Sequence, residues 1–120
     1  MLVEFNSLSE TSRVWIYQAS RSFNAEELEE VKAGLDQFIK EWTAHGSELK
    51  AGYEIRYNRF IVIALDQTNT TASGCSIDAS VRFIQALEKK YTDLNGFTGT
   101  DMIQLQSVCF HRRSQGDYLH

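Results

Sequence analysis

Two amphipathic helical stripes, an alternating strand followed by an apolar run between them, and a β-rich segment at each end predict an α+β domain. Their order, β-α-β-β-α-β, is that of the ferredoxin-like fold. This is a split β-α-β arrangement with a mostly antiparallel sheet and two helices on one face. With 120 residues, 42% hydrophobic and 23% charged, the chain has the length and balance of one globular domain spanning 1–120.

Taken in order, residues 1–11 read as extended, with Leu2, Val3, Phe5 and Leu8 available for packing. RVWIYQ at 13–18 is β-rich and alternates, so Val14 and Ile16 point one way and Trp15 and Tyr17 the other. A helix is expected from about 25 to 45. Asn24 is a good N-cap, and Glu27 three residues later completes a capping box. Leu28, Val31, Leu35, Phe38, Ile39 and Trp42 recur at helical spacing. His45 then falls in the last turn and Gly46 supplies a left-handed stop. Residues 49–58 alternate with period two, a half-exposed edge strand, and Asn58 tolerates the positive φ of a turn. Phe60 to Leu65 is uniformly apolar, as a central strand requires. Polar residues 66–75 form a loop. The second helix, about 76–92, buries Ile77, Val81, Ile84, Leu87 and Tyr91. MIQLQSVCF at 102–110 is the last strand, and 112–120 reads as a frayed tail.

Charge narrows the function classes. Residues 24–45 hold six acids and two bases, which accounts for the whole net charge of −4. With a pI near 5.3 and no basic stripe, the chain is not expected to bind nucleic acid or an anionic membrane. The run 60–65 is far short of the roughly 18 apolar residues of a membrane span. MLVEFNSLSE has neither the basic nor the long apolar region of a secretory leader, so a cytoplasmic location is expected. Cys75 and Cys109 lie in different elements with no CxxC pair, and both are expected to be reduced thiols.

Four stretches carry a resemblance: SRVWIYQA (12–19), EWTAHG (41–46), EIRYNRFIVIALD (54–66) and ASGCSIDASVRFIQALE (72–88). Through them the chain resembles a family of small Bacteroidetes proteins often labelled "ABC transporter ATPase". The resemblance implies a lineage and no defined catalytic residues. The label would need a G-x-x-x-x-G-K-[ST] loop to hold phosphates, and the chain has no Gly-Lys pair. ABC-type ATP hydrolysis is therefore not expected, and no cofactor is.

Candidate chemistry gathers where the predicted topology brings the end of the first helix to the start of the second. Cys75, at a helix N-terminus, is a candidate nucleophile with His45 as base and Asp66 orienting it. Alternatively, Ser73, Gly74 and Ser76 would present amides and hydroxyls to a small anion. A metal set of His45, Cys75, Cys109 and His111 lacks recognised zinc spacing. Arg56 and Arg59 flank the hairpin turn as an anion clamp or as partners of the acidic first helical turn. Finally, two helices cover one sheet face only. Trp15, Tyr17 and Phe60 would then leave the second face apolar, which predicts a homodimer through it, or else a lid formed by residues 1–11 and 97–120. The preferred reading is a non-catalytic binding or assembly module.

Overall fold

A computed structural model describes residues 1–93 and 105–111, with side chains for 1–90. The elements are β1 (Arg13–Ala19), α1 (Ala25–Glu41), β2 (Thr43–Ala44), β3 (Ser47–Glu48), β4 (Lys50–Arg56), β5 (Phe60–Asp66), α2 (Gly74–Asp93) and β6 (Leu105–His111). A four-stranded sheet has the order β4-β5-β1-β6, with every neighbouring pair antiparallel. β2 and β3 form a separate small hairpin. The described residues thus form a mixed α+β structure with two α-helices and an antiparallel main sheet. The expected 112–120 tail lies outside the described residues.

α1 starts where its cap residues require. The Asn24 side chain accepts from the Glu27 amide at 2.8 Å, and the Glu27 carboxylate accepts from the Asn24 amide at 2.9 Å. Its expected end at residue 45 is corrected. The helix stops at Glu41, and Trp42 turns extended while its N–H still donates to the Ile39 carbonyl. His45 and Gly46 have φ of 54° and 76° and make the two-residue turn of the β2–β3 hairpin. Two successive left-handed residues suit the right-handed twist of a tight hairpin. The Gly46 signal was real, but it served a hairpin rather than a helix end.

The main core lies between sheet and helices. It holds Trp15 and Tyr17 from β1, Ile61, Ile63 and Leu65 from β5, Val31, Leu35 and Ile39 from α1, and Ile84 and Leu87 from α2. This corrects the expectation that Trp15 and Tyr17 occupy the helix-free face. Their alternation was read correctly, but the large aromatic pair packs under the helices, where Trp15 meets Trp42 edge-on at 6.1 Å. Val81 is also corrected, being 42% exposed. Ser76 and Ser80 take the inward positions of α2 instead. Their hydroxyls donate to the Ser73 and Ile77 carbonyls, which satisfies them within the helix.

The opposite face carries a second cluster. Val14, Val62 and Ala64 are covered by Phe5 and Leu8, with Val3 and Ile16 at its margin. The N-terminal segment reaches that face by crossing β4. Val3 N donates to Ala51 O, Leu2 bridges Ala51 in parallel, and a short 3-10 turn at Phe5–Ser7 follows. The crossing passes directly over Gly52, where a Cβ would sit 2.7 Å from the Val3 carbonyl oxygen.

Candidate functional site

α1 and α2 meet at one end of the sheet. The buried Trp42 Nε1 donates to the Ser76 carbonyl at 2.9 Å and ties the exit of α1 to the entry of α2. The α2 start is closed on itself. The Ser73 hydroxyl accepts from the Ser76 amide at 3.1 Å, and the Ser76 hydroxyl accepts from the Ser73 amide at 2.7 Å. Ser76 is buried and Gly74 is exposed, so of the expected anion cradle only part opens to solvent. Cys75 is an exposed free thiol in the first turn. His45 is exposed at the tip of the β2–β3 hairpin.

Asp66 serves elsewhere. It accepts from Thr68 N at 2.9 Å and Thr68 Oγ1 at 2.5 Å, and Lys50 Nζ stands 3.9 Å away. These Thr68 bonds, with Lys50 and the Ser9 amide, hold its carboxyl below the usual carboxylate range. Alternation along β5 puts it on the face of Val62 and Ala64, away from the helices. No hydrogen bond or ion pair joins Cys75, His45 and Asp66 to one another. Of the metal set, Cys109 and His111 fall on β6 at the register positions of Trp15 and Arg13. Among the described residues no group of three or more His, Cys, Asp or Glu could hold a metal ion.

The arginines of the β4–β5 turn act structurally. Arg59 Nε donates to the Ala19 carbonyl at 2.8 Å and its Nη2 to Ser20 O at 3.2 Å. Arg56 pairs with Glu54 at 3.1 Å. The acidic first turn of α1 is met instead by Arg21, whose guanidinium grips both oxygens of Glu27 at 2.8 Å. That bidentate bond, with the Asn24 amide, lowers the Glu27 pKa against the opposing effect of burial.

Two features escaped sequence reasoning. Tyr57, like Asn58, has positive φ, 56° against 54°. Its side chain is 82% exposed and lies edge-on to Phe60 at 6.2 Å. Only Asn58 carries a recognisable left-handed signal, since a bulky residue at positive φ is unusual. The second feature is a cleft of about 560 Å³ between the N-terminal segment, α1 and β4. In it the Tyr53 hydroxyl donates to Asp36 at 2.7 Å. Burial, reinforced by Asp36, pushes the Tyr53 hydroxyl above the ordinary tyrosine range. Comparison with protein-family models, curated proteins and solved structures finds no match.

Proposed function

We propose that this protein is a non-catalytic binding or assembly module that self-associates through the helix-free face of its sheet. The observation that carries the reading is Tyr57. A left-handed conformation costs a residue with a Cβ about 1–2 kcal/mol, yet here it displays an aromatic ring to solvent beside Phe60. Backbone strain kept at an exposed aromatic is a reason to look for a contact made by that ring. The N-terminal segment covers Val14, Val62 and Ala64, while the neighbouring corner with Ile16, Gln18 and Phe60 keeps partial exposure. A twofold contact there would bury this corner against its copy.

Within this reading the strand order belongs to the ferredoxin-like split β-α-β arrangement, the location is cytoplasmic, and the kinship with the small Bacteroidetes proteins is one of lineage. Light scattering after size exclusion tests the assembly. A mass twice 13.7 kDa, falling to the monomer in Tyr57→Asn with the fold intact, supports it. A monomer at about 100 μM wild-type protein refutes it; weaker self-contacts fall outside stable interfaces.

A second reading, a small enzyme or anion-binding protein built on Cys75 and His45, has one observation in its favour. The Trp42–Ser76 bond holds the two exposed residues' elements at the same end of the sheet. Peptide-resolved alkylation separates the readings. Under the binding reading folded Cys75 reacts no faster than in the urea-unfolded chain, and a marked acceleration supports the enzyme.

A further inference from the structure

We infer that the open end of β4 receives an extended peptide segment bearing lysine or arginine, which adds to the sheet as a further strand. β4 is an outer strand of the main sheet. Its odd-numbered residues, like Leu49 just before it, turn their backbone groups away from β5. Leu49 N donates to Trp42 O at 3.1 Å, Ala51 N to Met1 O at 3.0 Å, and Ala51 O accepts from Val3 N at 2.9 Å. The alternation of an antiparallel ladder places the N–H and C=O of Tyr53 and Ile55 on that same outward side. Among the described residues none of these four groups has a backbone partner. The edge therefore already accepts a strand from its own chain, and that strand leaves it half used.

The reason it leaves is visible at Gly52. After Val3 the N-terminal segment crosses over this glycine to the opposite face. The space it vacates is the cleft of about 560 Å³, bounded by residues 2–5, by Asp36 and by residues 53–55. Unpaired edge groups beside a cleft are the arrangement that strand addition uses: main-chain bonds supply affinity and the flanking side chains select.

Charge chooses the occupant. Glu4, Asp36 and Glu54 border the cleft, and among the described residues no basic side chain does. Glu54 is already engaged with Arg56 and one Asp36 oxygen accepts from Tyr53, which leaves Glu4 and the other Asp36 oxygen to meet an incoming cation. A second copy of this edge would bring these acids against their equivalents, so the structure disfavours edge-to-edge dimerisation here. The surface is separate from the Tyr57 corner, and either can fail without the other.

The test is an amide NMR titration of the full chain with the capped peptide Val-Lys-Val-Lys-Val-Lys and, in parallel, Val-Glu-Val-Glu-Val-Glu. The lysine peptide should shift the Tyr53 and Ile55 amides and slow their exchange with solvent, and the glutamate peptide should not. Glu4→Lys, a change at an exposed side chain that does not cap the 3-10 turn, should weaken the lysine peptide about fivefold. No response at Tyr53 and Ile55 with a few millimolar peptide would overturn the inference. So would equal binding of the two peptides, or concentration-dependent broadening of these amides without any peptide.

Discussion

Replacing Gly52 with alanine should detach or displace the N-terminal cover of the sheet. The added Cβ would lie 2.7 Å from Val3 O and 3.2 Å from both Phe5 Cα and Phe5 N. All three are backbone atoms, so no rotamer change relieves the clash and the crossing itself must move. On propensity alone, alanine in a strand should gain about 0.5–1 kcal/mol over glycine. Against that stands an overpacking cost of about 1–3 kcal/mol if the segment shifts and stays docked. If it lets go, Phe5 and Leu8, now 7% and 5% exposed, return to water at about 2 kcal/mol each, or about 4 kcal/mol together. The expected net loss is about 2 kcal/mol, opposite in sign to propensity. Urea unfolding followed by Trp15 and Trp42 fluorescence reads it, because both indoles lie in the helix-side cluster and report the whole domain. With a slope of about 2 kcal/mol/M, the midpoint should fall by about 1 M. Gly34→Ala is the control. There the nearest atoms are Phe83 ring carbons at 3.4 and 3.5 Å, an ordinary contact with a side chain. It should stabilise α1 by up to about 1 kcal/mol. A Gly52→Ala midpoint equal to or above wild type would refute the account of the crossing.

The remaining expectations are smaller in scope. Glu27 has a folded pKa below its unfolded one, so its contribution is present above the unfolded value near 4.3 and disappears as pH falls through the folded value. The stability gap between wild type and Glu27→Gln, measured by urea midpoints, should be full at pH 7 and close on acidification below about pH 4. A gap that widens in acid would reverse the assigned sign. Trp42→Phe removes the donor to Ser76 O, which keeps only its helical acceptor role, and empties part of a buried ring site; together these should cost about 1–3 kcal/mol, read as a lowered thermal midpoint. At protein concentrations low enough to keep the chain monomeric, Tyr57→Gly should raise the thermal midpoint or leave it unchanged, since a left-handed residue loses its Cβ penalty, while Tyr57→Val should lower it.

How much of this was legible in the residues differs from element to element. The start of α1 was, because its capping box is a local exchange of hydrogen bonds between Asn24 and Glu27 that needs no distant partner. So was the hairpin turn at Asn58, and so was the pairing of alternation with an edge in β4 and of an unbroken apolar run with an interior strand in β5. The end of α1 was not, since Trp42 continues the helical stripe and is buried although it stands outside the helix. What ends the helix there includes the Leu49 amide bonding back to Trp42 O.

Of the candidate site, the neighbourhood of the α1 exit and the α2 entry follows from topology and was readable. The assignment of Asp66 was not, because strand parity puts it on the far face from the helices. Periodicity determines that β1 has two unlike faces, and nothing local to Val14, Trp15, Ile16 or Tyr17 determines which one meets the helices. That choice belongs to the whole sheet. The helices cover Trp15 and Tyr17, and the centre of the opposite face is left to Val14, Val62 and Ala64, which a short crossing segment can cover. Gly52 completes the arrangement, for a glycine in a strand is an ambiguous sign until the chain that passes over it, 48 residues away in sequence at Glu4, is in place. Sequence determines which residues repeat at which period, because that information is carried by neighbours. Tertiary structure alone decides which face is inside and what crosses an edge, because those depend on volumes brought together from distant parts of the chain.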